Sequence, residues 1–373
     1  GGGKQPVREF KELVKGLHQA GLELVIELFF DGTEYPAYVL EAVRFWAREF
    51  HVDGIRLVGY APLQLLGADP YLRRLKLLAA GWDGADGGNE RHLAECGEGF
   101  MLEMRGFLKG DEGKLDSAAF CIRHNPADTA VVNYMADVNG FTLMDMVSYN
   151  GKHNEANGEG NQDGTDYNQS WNCGVEGETE DPDIRALRLQ MMKNACVALM
   201  CSRGTPMFLA GDEFGDTRFG NNNPYCQDNG ISWLDWNRLK TNRELYRFFK
   251  KMIRFRKEHP AIRSDQEPSE TGFPTVSVHT DKPFEHEINS DTKALAVCYA
   301  GKTGQGEDLV YVALNVYWEE QRFELPKLPE AYEWRCFADT SLDGTGEESG
   351  NVPITEYWLH PRTAAVFVGI RKI

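Results

Sequence analysis

The chain has 373 residues, with 40 Lys and Arg against 57 Asp and Glu, and its net charge of -17 argues against nucleic acid or an anionic membrane surface as a partner. Its hydrophobic content of 42% is that of a packed globular protein, and no window approaches the roughly 18 apolar residues of a membrane span. The opening "GGGKQPVREF" has no apolar signal core, and eight cysteines without a CxxC pair read as reduced thiols, so a cytoplasmic location is expected.

The first two thirds alternate between helix and strand. "REFKELVKGLHQAG" places Phe10, Leu13, Val14 and Leu17 on one helical face, Gly21 stops it, and "LELVIELFF" follows as a buried strand. "YPAYVLEAVRFWAREF" repeats the helical spacing through Val39, Val43, Trp46 and Phe50, and "HVDGIRLVGYAPL" supplies the next strand. "RLKLLAAGW", "VVNYMADVNGF" and "GTPMFLAGDEF" are further strands. Asp181 and Pro182 open a helix carrying Ile184, Leu187, Met191, Ala195 and Leu199 inward. Thr241 and Glu244 stand at capping-box spacing before a helix that faces Leu245, Phe248, Phe249 and Met252 inward. Such alternation implies a parallel sheet covered by helices.

After about Pro260 the pattern changes to short strands, "TVSVH", "ALAVCYAG", "DLVYVALNVY", "QRFELP" and "TAAVFVGI", separated by turn residues. The expected organisation is therefore an α/β domain over 1–262 and an antiparallel β-sandwich over 263–373. Between Asn150 and Pro182 lies a polar stretch too long for a simple connector, which is expected to be functional.

Two long stretches, "VSYNGKHNEANGEGNQDGTDYNQSWNCGVEG" and "RGTPMFLAGDEFGDTRFGNNNPYCQDNGISWLDW", resemble the isoamylase and glycogen-debranching, pullulanase-related branch of the α-amylase superfamily, glycoside hydrolase family 13. "VRFWAREFHVDGIR", "GWDG" and "NGFTLMDMVSYN" continue the likeness upstream, over most of residues 4–262. The resemblance implies a (β/α)8 barrel of TIM type followed by a β-sandwich. Its first two barrel strands have no evident counterpart, so the strand "LELVIELFF" is expected to lack a neighbour, which a preceding segment, a second copy or another subunit would cover.

The chemistry that the family performs needs one carboxylate as nucleophile and a second as general acid, roughly 5 Å apart at the carboxyl ends of the strands. In "DGIRLV" the chain keeps Asp53, Gly54 and Arg56, but Val58 takes the nucleophile's place. In "AAGWD" it keeps Trp82 and Asp83, but Ala80 takes the place of the acid. In "MADVNGFTL" Val138 replaces a His and Asn139 the third acidic residue, while "ELFFDG" brings Glu27 and Asp31 with Gly32 where a sugar-contacting His is usual. The loops after "ELFFDG" and "LVGYAPLQLLG" are short, which implies an open cleft.

No residue is therefore assigned a catalytic role; Asp31, Arg56, Trp82, Asp137, Asn139, His153, Trp171 and Tyr225 are the candidates for sugar contact. Trp82, Tyr149, Trp171, Phe219, Tyr225, Trp233 and Trp236 are each either stacking platforms or core. The spacing of His153, Asn154, Glu155, Asn157 and Glu159 fits no dedicated metal loop, and no cofactor is expected. The favoured reading is a catalytically inactive α-glucan or malto-oligosaccharide binder, acting as a homo-oligomer or supporting an active debranching subunit. The alternative is a retaining α-1,6 debranching hydrolase that uses acids such as Asp31, Asp137, Asp212 or Glu213.

Overall fold

The computed structural model describes residues 5–82, 92–284, 292–304, 306–341 and 354–372. The chain forms two compact units, residues 1–98 with 125–133, and residues 99–124 with 134–373. The expected boundary after residue 262 thus does not coincide with the division by compactness.

The first unit is a parallel sheet with helices. Helix α1 (Pro6–Gln19) has proline in its first turn, and Gly21 at φ 74° follows its end. Strand β1 (Val25–Phe30), helix α2 (Pro36–Phe50), strand β2 (Gly54–Gly59), the short helix α3 (Leu63–Gly67) and strand β3 (Lys76–Ala79) follow. Strand β4 (Leu93–Glu95) had no sequence signal beyond three residues, "LAE", and strand β5 (Ala130–Tyr134) follows it in the order β1-β2-β3-β4-β5. One face, with Phe30, Ile55, Leu57 and Leu77, packs on Val39, Val43 and Phe50 of α2. Leu13 of α1 lies outside this core at 52% exposed, and Phe10 carries the contact instead, its ring 5.8 Å from that of Trp46 and 5.3 Å from that of Phe50.

Strand β1 is not the buried strand that its apolar run suggests. Its pattern alternates, because only one face meets helices; on the other, Val25 and Phe29 stand exposed, Phe29 at 68%. Among the described residues β1 pairs with β2 alone and forms the edge of the sheet.

The second unit joins helices to antiparallel strands. Helices α4 (Gly99–Lys109), α5 (Leu115–Arg123), α6 (Leu143–Met146), α7 (Pro182–Met200), α8 (Arg238–Thr241), α9 (Arg243–Glu258) and α10 (Pro260–Arg263) accompany the short strand β6 (Thr205–Met207). Asp181 caps α7 as its sequence indicated, its carboxylate accepting from the amides of Asp183 and Ile184 at 3.0 and 3.3 Å. The helix is not amphipathic: from Met191 to Met200 it is buried all round. The capping box before α9 does not form; Thr241 ends α8, and its hydroxyl donates to the carbonyl of Arg238.

The antiparallel part adds β7 (Val276–His279), β8 (Ala294–Thr303), β9 (Gly306–Asn315), β10 (Gln321–Glu324), β11 (Tyr332–Asp339), β12 (Glu356–Leu359) and β13 (Thr363–Arg371). β11 and β12 are strands that the sequence pattern did not reveal. The five-stranded sheet runs β11-β13-β9-β8-β7, and β10 pairs with β12. Alternate residues of β8 and β9 serve two cores: Leu295, Val297 and Tyr299 pack with the helices, while Ala296, Cys298 and Ala300 pack with Phe323 and Leu359. Burial on both faces explains the unbroken apolar run "ALAVCYA".

The exposed apolar face of an edge strand favours pairing with another surface. At micromolar concentrations light scattering is expected to show self-association, and Phe29→Lys to reduce it without lowering the melting temperature; a monomer at all concentrations refutes this.

Candidate functional site

Three of the eight candidates, Asp31, Arg56 and Trp82, belong to the first unit. In the register of β1 and β2, Glu27 lies opposite Arg56 and Phe29 opposite Val58, so these four share one face of the sheet. The Arg56 guanidinium is 3.5 Å from the Glu27 carboxylate. Val58 is half-buried, two residues after Arg56 on the same face. Ala80 follows the last residue of β3 and is exposed. Neither side chain carries an ionisable atom.

Asp31 does not reach beyond its own turn. Its Oδ1 accepts from the amide and hydroxyl of Thr33 at 2.8 and 2.7 Å, and these bonds hold its carboxyl below the usual range. Gly32, at φ 91°, sits where a Cβ would meet the Tyr60 side chain at 3.2 Å. Trp82 is no stacking platform: it is buried in the core and its indole donates to the carbonyl of Ala94 at 2.9 Å. Asp83 lies outside the described residues.

The other candidates belong to the second unit, on the segments 137–177 and 211–225. Asp137 is buried and its Oδ1 accepts from the amide of Val138 at 2.7 Å, whereas Val138 and Asn139 are exposed. Arg218 donates to the carbonyl of Val138 at 2.7 Å, which fixes this tip. His153 is 3.2 Å from Glu176 through Nε2 and packs its ring edge on Tyr149. The ring of Trp171 is covered by the Arg362 guanidinium at 4.5 Å. Tyr225 is exposed, with its hydroxyl 3.3 Å from Glu159. Tyr149 is buried, while Phe219, Trp233 and Trp236 remain exposed.

Several residues that organise this region gave no sequence signal as such. Burial pulls the Glu176 carboxyl upward, but the amides of Asn150 and Gly151, the Asn172 side chain and His153 outweigh it, and the group sits below its ordinary range. Asn154 and Asn222 bond reciprocally, the side chain of each meeting the other residue, at 2.9 and 3.0 Å. Arg105 is buried and donates to the carbonyls of Met135, Phe141 and Asn168. Asn154 and Asn157 are thus engaged with backbone and neighbouring side chains, and among the described residues no three His, Cys, Asp or Glu side chains are grouped to hold a metal.

Asp212 and Glu213 are also committed. The Asp212 carboxylate accepts from the amides of Leu143 and Leu209 at 2.9 and 3.2 Å, and that of Glu213 from the amide of Gly211 at 2.9 Å.

Residues 278–372 match the family model for the C-terminal domain of isoamylase. A glycogen operon protein GlgX homolog of Mycobacterium tuberculosis is 30% identical over 447 aligned residues, covering 95% of this chain and 62% of the relative. Isoamylase 3, chloroplastic, of Oryza sativa subsp. japonica is 32% identical, covering 93% of this chain and 53% of the relative. The chain therefore spans between half and two thirds of the length of these relatives. Among solved structures, a mutant pullulanase of Paenibacillus barengoltzii complexed with maltotetraose superposes with a TM-score of 0.69 at 18% identity, over 98% of this chain and 61% of that one.

Burial pushes the Asp212 carboxyl from 3.8 up to about 7, against its two amide donors and the Arg105 charge. A folded-state pKa above the unfolded one means that this stability is full below about pH 4 and is lost as the pH rises through about 7. Asp212→Asn is expected to flatten the fall in melting temperature between about pH 4 and about pH 7, an effect on the order of a few kcal/mol. An unchanged slope in calorimetry refutes the assignment.

Proposed function

The chain belongs to the isoamylase and glycogen-debranching branch of glycoside hydrolase family 13, and from that premise we propose that it is an α-glucan-binding protein without hydrolytic activity of its own. The observation that carries this reading is the chemistry of the strand tips. Valine and alanine stand at Val58 and Ala80, and an amide at Asn139, where the family uses carboxyl groups. A retaining mechanism needs an oxygen lone pair to form the glycosyl-enzyme bond and a proton for the leaving oxygen. Val58 and Ala80 supply neither.

The rival, a hydrolase built on other acids, has one observation in its favour: a carboxyl at about 7 suits a general acid. Against it, Asp212 is 2% exposed and both its oxygens hold backbone amides, so no substrate oxygen has access to it. Asp31, Asp137 and Glu213 likewise bond to amides within their own turns.

A (β/α)8 barrel is part of the same proposal. The five parallel strands β1 to β5 in sequence order are what consecutive barrel strands three to seven would form, with β4 as the sixth. Malto-oligosaccharide is the proposed ligand, since a related pullulanase structure holds maltotetraose, and the exposed rings of Tyr225, Trp233 and Trp236 can offer pyranose-sized faces. Support of an active debranching subunit and a cytoplasmic setting, in keeping with eight free thiols, complete the reading.

Purified protein is expected to release no reducing ends from glycogen or pullulan above background while retaining maltoheptaose on affinity electrophoresis. Turnover that co-purifies with the chain and falls on Asp212→Asn or Asp137→Asn refutes the first half; equal mobility with and without glucan refutes the second.

Restoring Val58→Asp, Ala80→Glu and Asn139→Asp together is expected to leave the protein without debranching activity at the level of its family. Catalytic groups must be held within about 0.5 Å by their surroundings, and Gly32 and Val138 no longer offer the histidines usual there. Robust turnover by the triple variant would show the surroundings to be intact.

A further inference from the structure

Helix α9 carries a feature that the glucan reading does not use. Its inner face, Leu245, Phe248, Phe249, Met252 and Phe255, is core. Its outer face places Arg243, Arg247, Lys250 and Arg254 along one stripe, at spacings of four, three and four residues, with Lys251 beside them. These five cations line a groove of about 490 Å³, together with Tyr246, Phe337 and a single carboxylate, Glu258.

Solvation alone accounts poorly for the stripe. Like charges at these spacings repel along a helix, and a cation at Arg243 meets the positive end of the helix dipole. The rest of the chain is acidic, yet none of the five is in an ion pair among the described residues, and Glu244 on the same helix is taken by Lys193. The wall is also organised. Lys251 donates from Nζ to the carbonyl of Phe337 at 2.7 Å and lies 4.6 Å from that ring's centre, and Lys250 lies 5.5 Å from the centre of Tyr246. Two ammonium groups are thus placed in advance, and burial lowers the pKa of Lys251, whose remaining donors are left for an oxyanion.

We propose that this groove binds a phosphate monoester carried on a sugar. A dianion at its centre would relieve the repulsion along α9, and the guanidinium forks of Arg247 and Arg254 match phosphate oxygens two at a time. The volume is within the range of small-molecule sites and exceeds what a bare anion needs. The sugar half of the proposal rests on the α-glucan reading; the phosphate half does not.

Titration calorimetry of the full chain at about 150 mM salt tests it, with glucose 6-phosphate, inorganic phosphate and glucose as probes. Glucose 6-phosphate is expected to saturate below about 1 mM and to bind at least about threefold tighter than inorganic phosphate, with no heat from glucose. Arg247→Gln and Arg254→Gln, both exposed, are each expected to weaken it about fivefold or more at unchanged melting temperature. Competition by phosphorylated maltodextrin, compared with the same maltodextrin dephosphorylated, tells an ester on a glucan from one on a free sugar. No saturation by about 10 mM, equal binding of the two phosphates, or unaltered affinity in both variants overturns the proposal. Maltoheptaose binding is measured on the same sample: its absence would remove the glucan reading while a positive phosphate titration stands, and the converse pattern would remove only the groove.

Discussion

Much of the second unit depends on one carboxylate without exposed surface. Asp145 lies in α6, where its own amide is capped by Thr142, and its oxygens accept from the Thr217 hydroxyl and the amides of Arg218 and Gly220. Burial raises its pKa in spite of these donors, and the three hydrogen bonds offset part of the cost of taking the group out of water. What that cost secures is the position of an irregular segment. From Thr217 to Asn222 the chain has no ladder to satisfy its backbone, and it is instead laced to residues 138–154 through Asp145, the Val138 carbonyl, the Gly140 amide and the His153 amide. A polar loop can then run through a protein interior, with Asn154 and Asn222 almost wholly buried.

The first unit gives a different account of what its retained motif is for. Asp53 accepts from the amide of Leu24 at 2.7 Å and from His18, and so pins the entry of β1 to that of β2. A Cβ on Gly54 would sit 2.7 Å from the carbonyl of Lys76, and one on Gly59 2.1 Å from that of Phe30, at a φ of 80° that favours glycine. Arg56 faces Glu27 across the strand pair. Each kept residue therefore has a packing or backbone reason that is independent of catalysis, while Val58 and Ala80 have none that requires a carboxylate.

The sequence made legible those features whose cause is local. Asp181 and Pro182 announce a helix start by their own geometry, and Leu245, Phe248, Phe249 and Met252 repeat at helical spacing because one face of α9 is core. Features decided by distant partners were not legible. β4 is three residues long and is a strand only because β3 and β5 flank it. β1 reads as buried because its composition is apolar, yet its exposure depends on what stands beside the sheet. Trp82 was open between stacking platform and core by type alone, and its burial and its bond to the carbonyl of Ala94 place it in the core. The Thr241 and Glu244 pair met the spacing of a capping box, but Glu244 is drawn to Lys193, and Thr241 closes the preceding turn.

An active glycosidase site is costly to keep. Two or three carboxyl groups held close together in a partly dry cleft repel one another and lose hydration, and proteins retain such clusters because activity demands them. Once activity is no longer selected, substitution at those positions by apolar or neutral residues is favourable or neutral for folding, whereas substitution at Gly54, Gly59 or Asp53 is not. On the proposed inactive reading, Val58 beside Phe29, Ala80 at an open tip and Asn139 are the pattern that such an asymmetry would produce. The same asymmetry gives the cations of α9 their weight. An exposed stripe of like charge adds nothing to folding, so a cluster held at this cost points to a use.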